Sequence, residues 1–104
     1  MNIRLLILAA LAITVIIIAS FFFAPDGEEI FRIQGCIGCH SIRRDGGIAG
    51  PELAPSARRR SYLYLRAQIR DPKSHNPDSR MPSYGHLSEA EIFALIRYLR
   101  KEND

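Results

Sequence analysis

Cysteine is scarce in this chain, and so is methionine. The 104 residues contain two cysteines, close together, and two methionines, one of which is the first residue. Two cysteines so near each other cannot form the disulfide framework that stabilises many small secreted domains. No internal repeat or low-complexity tract is present either. The length suits one small domain with an appendage, and the core of that domain needs another source of stability.

Both cysteines lie in one stretch, Gly35 to His40, with the sequence GCIGCH. Cys-x-x-Cys-His is the pattern of c-type heme attachment. Two thiols at this spacing lie on one side of a helical turn, so both can reach the vinyl groups along one edge of a porphyrin. The imidazole of His40 can then bind the iron from one face. We therefore predict one heme c, attached covalently through Cys36 and Cys39, whose apolar plate enlarges a modest core.

Three other uses of this motif agree less well with the sequence. A dithiol redox site does not require the adjacent histidine, and no alternating strand–helix pattern surrounds the cysteines. A zinc site needs a fourth ligand, and Cys39 and His40 are poorly placed to share one tetrahedral ion. A disulfide across two residues would be strained.

The N-terminal segment is strongly apolar, because Leu5 to Ala24 carries no charge. A helix of that length is about 30 Å long, which matches the hydrocarbon core of a bilayer. Arg4 precedes this run and three acidic residues follow it, which places the N-terminus in the cytoplasm by the positive-inside rule. We predict a transmembrane anchor over residues 1–25, in contact with lipid through residues 5–24, and a heme domain over residues 26–104.

This topology places the heme domain on the periplasmic side of a bacterial inner membrane, where c-type heme is attached. A cleaved signal peptide is the competing interpretation. The apolar run is long for such a peptide. Phe22 and Pro25 also make cleavage after Ala24 unfavourable.

Helix signals divide the remainder of the chain. We predict a first helix over residues 26–38 that begins at Asp26, with Gly35 allowing close approach of another backbone. Ser61 is expected to cap a helix over residues 62–70. A capping box at Ser88 begins the last helix, which should cross the first helix and bring Phe31 against Leu95 and Tyr98.

Residues 41–60 contain three glycines and two prolines, and they predict irregular chain. A metal-bound histidine usually donates its other ring N–H to an acceptor, and the Pro51 carbonyl is our candidate for His40. Leu53 is expected to pack on the porphyrin, and the Tyr64 hydroxyl to reach a propionate. The basic run over residues 58–60 is open to three interpretations: a solvated surface, partner docking or propionate pairing.

The second iron ligand is expected from the loop before the last helix. Met81 lies there in Ser79-Arg80-Met81-Pro82, and a thioether is the usual partner of histidine in cytochromes c. His75 and His86 flank the same loop and are the rival ligands. A loop methionine that only fills a gap in the core is the alternative.

These motifs together resemble the class I cytochrome c family over Gly27 to about Lys101. The resemblance is carried by the stretch before Cys-x-x-Cys-His, by Gly50-Pro51-x-Leu53, by Met81-Pro82 and by the last helix. It implies an all-helical heme domain, so with the anchor we expect an all-α fold of a single N-terminal transmembrane helix and a small domain of three to four helices around one covalent heme. It also implies His40 and Met81 as axial ligands. Residues 66–72 and 76–82 are similar to heme domains of cbb3-type oxidase monoheme subunits and of quinol-oxidising complexes.

The predicted function is one-electron transfer by a membrane-anchored monoheme cytochrome c, which is a carrier and not an enzyme. The expected partners are redox proteins, such as a quinol-oxidising complex or a terminal oxidase. A gas or peroxide sensor or catalyst is the alternative if Met81 is labile. The formal charge of +3 is largely cancelled by two propionates, so it gives little support for nucleic-acid binding. The anchor suits either a free tether or a fixed subunit of a complex.

Overall fold

A computed structural model describes residues 2–101. Within these residues, six α-helices account for most of the fold: α1 (Ile3–Phe22), α2 (Gly27–Ile33), α3 (Cys36–Cys39), α4 (Leu53–Arg59), α5 (Tyr62–Arg70) and α6 (Glu89–Leu99). A two-stranded antiparallel hairpin, β1 (Ser41–Ile42) and β2 (Asp45–Gly46), follows α3, and a 3-10 turn (Pro72–Ser74) follows α5. The predicted all-α class is confirmed, with more and shorter helices around the heme motif than the three or four expected.

Helix α1 is long and apolar enough to cross a membrane, and none of its residues is buried against the rest of the chain. The two hydroxyl side chains of α1 form hydrogen bonds within the helix. Thr14 donates to the Ala10 carbonyl at 2.9 Å and Ser20 donates to the Ile16 carbonyl at 2.8 Å. Such bonds remove the cost of placing a hydroxyl in lipid.

Helices α2 and α6 form the centre of the heme domain. Phe31 on α2 is 1% exposed, and its ring lies 5.7 Å from that of Tyr98 on α6, as expected from the sequence. The crossing is close at Gly27. A Cβ there would lie 2.7 Å from the carbonyl carbon of Ala94 and 2.8 Å from the Cβ of Tyr98. The close approach assigned to Gly35 is therefore made by Gly27.

The predicted helix over residues 26–38 is two helices. Gly35 separates α2 from α3 with φ of +81°, a conformation that side chains with a Cβ rarely adopt. An added Cβ at Gly35 would meet no atom within 4 Å. Gly35 is therefore needed for its backbone conformation, which turns the chain and sets the start of the attachment helix.

Residues 41–60 are more regular than predicted, because they contain the β1–β2 hairpin and helix α4. The proline that suggested irregular chain, Pro55, is the third residue of α4, where a backbone N–H has no helical acceptor in any case. The Glu52 carboxylate begins the helix by accepting from the Ala54 N–H at 2.9 Å.

Helices α5 and α6 begin where their caps predicted. Ser61 accepts from the Tyr64 N–H at 3.1 Å, and Ser88 and Glu91 form a reciprocal capping box. The core is assembled from α2, α4, α5, α6 and the segments between them. It comprises Ile30, Phe31, Ile42, Ala54, Ala57, Ile69, Leu87, Ile92, Leu95, Ile96 and Leu99.

Candidate heme site

The two cysteines begin and end the single turn of α3. Cys36 is partly buried against the core, whereas Cys39 is exposed, and both thiols are free. Burial raises the pKa of the Cys36 thiol, its backbone hydrogen bond lowers it, and the nearby Cys39 raises it again. The net effect keeps Cys36 in the protonated thiol form at neutral pH. One helical turn thus presents two thiols for attachment to a single porphyrin edge.

His40 ends this turn, and its ring is held by the following loop. Its Nδ1 lies 2.9 Å from the Pro51 carbonyl oxygen, which is the hydrogen bond expected from the sequence. A carbonyl oxygen only accepts, so Nδ1 carries a proton, and in the neutral imidazole Nε2 then carries the lone pair. Among residues 2–101, Nε2 has no hydrogen-bond partner. A neutral imidazole with Nδ1 donating to a carbonyl is the form that binds a metal through Nε2.

The loop over residues 46–51 fits closely beneath His40 and α3. The Gly47 N–H donates to the Ile37 carbonyl at 2.8 Å and the Gly50 N–H donates to the Cys39 carbonyl at 2.7 Å. A Cβ on Gly50 would lie 2.5 Å from Cε1 and 2.6 Å from Nδ1 of His40. Only glycine leaves room for the imidazole at this position. The sequence indicated that Gly50 is part of a turn, but not that its backbone packs against the His40 ring.

Met81 lies in the irregular chain between the 3-10 turn and α6, and its side chain is partly buried. Its sulfur accepts a hydrogen bond from the Gln68 Nε2 at 3.6 Å, and its backbone N–H donates to the Ser79 hydroxyl at 3.3 Å. The rival histidines have other partners. His75 Nδ1 lies 2.7 Å from the Gln68 Oε1, and His86 Nε2 lies 3.1 Å from the Gln34 Oε1.

The other two residues assigned to the site lie on the helices between His40 and Met81. Leu53 is the first residue of α4 and packs, partly buried, against the core. The Tyr64 ring stacks on His75 with centroids 4.0 Å apart, and the Arg60 guanidinium lies 4.4 Å from its centroid. Within the described chain no group hydrogen-bonds the Tyr64 hydroxyl. Their contacts with porphyrin and propionate stay predictions.

Two residues near the site were not anticipated. Gln68 contacts both Met81 and His75, and no sequence motif marks a helical glutamine for such a role. The Tyr84 hydroxyl donates to the Gln34 carbonyl at 3.1 Å. Burial first, and then the neighbouring cysteine thiols, raise the pKa of Tyr84. Tyr84 therefore stays a neutral hydrogen-bond donor beside the attachment turn at physiological pH.

The donors suit a heme iron. Two thiols at the ends of one turn, an imidazole nitrogen with a free lone pair and a thioether sulfur are the groups that hold heme in cytochromes c. His40 and Met81 would be the axial ligands, and Cys36 and Cys39 the points of attachment. The close contact with Gly50 and the bond from Nδ1 to Pro51 hold the His40 imidazole in one orientation.

The sequence profile of the Cytochrome c family matches residues 24–102. The chain belongs to the cytochrome c family. It is a class I c-type cytochrome, it carries heme c, and its function is electron transfer. The match begins immediately after α1, so the family assignment is independent of the apolar segment.

Named relatives of this cytochrome are components of larger assemblies. It is 39% identical over 85 residues to cytochrome c oxidase subunit 2 of Alkalihalophilus pseudofirmus, covering 74% of this chain and 25% of the relative. The oxidase subunit 2 of Bacillus sp. strain PS3 is 36% identical over 90 residues, covering 73% and 25%. The menaquinol:cytochrome c reductase cytochrome c subunit of Bacillus subtilis is 48% identical over 31 residues, covering 30% and 12%. The chain thus spans about a quarter of the oxidase subunits that it matches.

Proposed function

We propose that this cytochrome is a membrane-anchored electron carrier whose heme iron is bound by His40 and Met81. Bound heme supplies a one-electron Fe(II)/Fe(III) couple. The observations that carry the proposal are a histidine whose Nδ1 is bonded to the Pro51 carbonyl and a partly buried methionine whose sulfur accepts from Gln68. Two protein ligands leave no axial position for a substrate, which favours electron transfer over catalysis at the metal.

The protein side chains have separate tasks in this proposal. Cys36 and Cys39 prevent loss of the cofactor, because thioether bonds make it covalent. The Pro51 carbonyl keeps the proton of His40 on Nδ1 and increases the basicity of the imidazole. Met81 supplies a soft sulfur donor, which favours the reduced state and a raised potential. The low polarity of the surrounding core acts in the same direction.

We propose that residues 1–25 anchor the protein and that residues 26–104 form the heme domain. The support is the length of α1, the absence of buried residues along it and the internal bonding of both hydroxyls. Arg4 in the first turn of α1 and the acidic residues after the helix favour a cytoplasmic N-terminus and a heme domain on the periplasmic side of a bacterial inner membrane. An anchored carrier meets its partners by motion within the membrane plane.

The partners that we propose are a quinol-oxidising complex and a terminal oxidase. The relatives include a cytochrome c oxidase subunit and a menaquinol:cytochrome c reductase subunit, and both names describe complexes that react with cytochrome c. Copurification from mild detergent tests this choice. A companion quinol-oxidising or oxidase complex supports a fixed subunit, whereas recovery of the chain alone supports a free tether.

The axial ligands are tested on the full heme-loaded chain in detergent. The oxidised protein is expected to show the weak near-infrared band of methionine-ligated Fe(III), and the reduced protein to bind carbon monoxide slowly or not at all. Met81→Ala should lose the band and bind carbon monoxide readily. His86→Ala is the matched control and should keep the band, and His75→Ala, which removes the other rival ligand, should keep it as well. Loss of the band in either histidine variant alone, or rapid carbon monoxide binding by the unaltered protein, would contradict this ligation.

The anchor is tested by the mass of the mature chain and by its location. We expect residues 1–25 to be present in protein isolated from membranes after an alkaline carbonate wash. A shortened chain in the soluble fraction would instead show that α1 is a cleaved signal peptide.

A further inference from the structure

Gln68 joins two residues that the sequence had placed in competition for the iron. Its side chain extends from α5 and is partly buried. Its Nε2 lies 3.6 Å from the Met81 sulfur, and its Oε1 lies 2.7 Å from the His75 Nδ1. One amide thus contacts the proposed ligand with its donor end and a histidine with its acceptor end.

The chemistry of the three groups fixes the orientation of this amide. A thioether sulfur has lone pairs and no proton, so only the NH2 end of the amide can bond it. The carbonyl end then faces His75, which must donate from Nδ1. Both ends of the amide are satisfied in this orientation, whereas the reverse orientation would place an oxygen against the sulfur. A proton on the His75 Nδ1 therefore favours the same orientation of the Gln68 amide that the Met81 sulfur requires.

His75 is itself held in place although it is exposed. Its ring is parallel to that of Tyr64 within 7° at a centroid distance of 4.0 Å, and the Arg60 guanidinium lies 4.4 Å from the Tyr64 centroid. Stacking of this kind contributes order to an imidazole that would otherwise rotate freely. The contacts form a continuous chain from Arg60 through Tyr64, His75 and Gln68 to the methionine.

We propose that Gln68, oriented by His75, is a positioning residue that holds the Met81 thioether in place for the iron. This inference rests on the proposed ligation by Met81. The methionine needs such support because its side chain has three rotatable bonds and because it extends from irregular chain. One sulfur lone pair accepts from Gln68 and the other is left for the metal. Donation to the sulfur also withdraws electron density from it, which stabilises the electron-rich reduced state.

The test compares Gln68→Leu with the unaltered full-length heme protein in detergent. Loss of one hydrogen bond should let imidazole displace the methionine about fivefold more readily from the oxidised iron. The midpoint potential should shift downward. Gln34→Leu is the matched control, because Gln34 bonds His86 in the same way and has no contact with the methionine sulfur. It should leave imidazole affinity and potential unchanged.

A second pair of variants separates positioning from general stability. Gln68→Glu keeps the size of the side chain and its acceptor for His75, but at neutral pH it offers the sulfur no proton, so imidazole affinity should rise as in Gln68→Leu. His75→Phe keeps a ring to stack on Tyr64 and removes the bond that orients the amide, so its effect should have the same sign and be smaller. Unchanged imidazole affinity in Gln68→Leu and Gln68→Glu, with the near-infrared band present, would overturn this inference alone. Absence of that band from the unaltered protein would instead overturn the proposed ligation by Met81, on which this inference depends.

Discussion

The contact at Gly27 predicts a large loss of stability when a single methyl group is added. In Gly27→Ala the new Cβ would lie 2.7 Å from the Ala94 carbonyl carbon and 2.8 Å from the Tyr98 Cβ, and closer still to the Ala94 oxygen. Carbon atoms in good contact are about 3.5–4.0 Å apart, so α2 and α6 must separate by roughly 1 Å. The displaced backbone carries Phe31 and Leu95, which are 1% and 2% exposed.

Overpacking of this kind typically costs about 1–3 kcal/mol. The better helix propensity of alanine offsets under about 1 kcal/mol, because Gly27 is the first residue of α2. We therefore expect a net loss of about 2 kcal/mol, which for a domain of this size lowers Tm by roughly 8–16 °C.

The assay is thermal and denaturant unfolding of the full heme-loaded chain in detergent, followed by helical circular dichroism. Gly85→Ala is the matched control, because a Cβ at Gly85 meets its nearest atom, the Ser83 hydroxyl oxygen, at an ordinary 3.6 Å. The free energy of unfolding of Gly85→Ala should lie within about 0.5 kcal/mol of that of the unaltered protein. A Gly27→Ala variant as stable as this control would refute the argument that the α2–α6 crossing requires glycine.

Two further predictions concern exposed parts of the domain. The pKa of Glu89 is lowered, first by its hydrogen bond from Arg66 and then by the charges of Arg66 and Arg70. The ionised Glu89 carboxylate therefore stabilises the fold at a pH above the pKa that Glu89 has in the unfolded chain. This stabilisation is lost as the pH falls through the pKa that Glu89 has in the folded protein. Glu89→Gln should therefore be less stable than the unaltered protein at pH 7, and a difference that stayed constant down to pH 3 in denaturant titrations would contradict this assignment. Arg44 lies in the two-residue turn of the β1–β2 hairpin with φ of +71°, a conformation that glycine adopts more easily. Arg44→Gly should therefore stabilise the domain by up to about 1 kcal/mol. A denaturation midpoint equal to or lower than that of the unaltered protein would argue against backbone strain at Arg44.

The elements that begin with a strong local signal could be predicted from the sequence. Ser61 and Ser88 are strong helix N-cap signals, and α5 and α6 begin directly after them as expected. The bond between His40 and Pro51 could also be anticipated, because a metal-binding imidazole needs an acceptor for its second nitrogen. At these positions the role that local chemistry predicts for a residue is the role that it has in the folded protein.

The errors arise where a residue type has two uses that only the fold distinguishes. Gly35 and Gly27 look alike in sequence, yet one supplies a positive φ and the other allows two helices to touch. Pro55 indicated irregular chain, but a proline in the first turn of a helix loses no hydrogen bond. Gln68 carried no signal, because its importance depends on a loop that returns to α5 13 residues later.

Under the proposed ligation, the two axial ligands are held by different kinds of contact. His40 follows a covalently attached turn and rests against the backbone of Gly50, while the Pro51 carbonyl fixes its proton. Met81 depends on a side-chain bond to Gln68 at 3.6 Å and on irregular chain. Backbone contacts resist substitution and motion more than a single side-chain bond does. The methionine side is therefore the one at which exogenous ligands should enter, and changes at Gln68 should regulate that exchange without loosening the histidine.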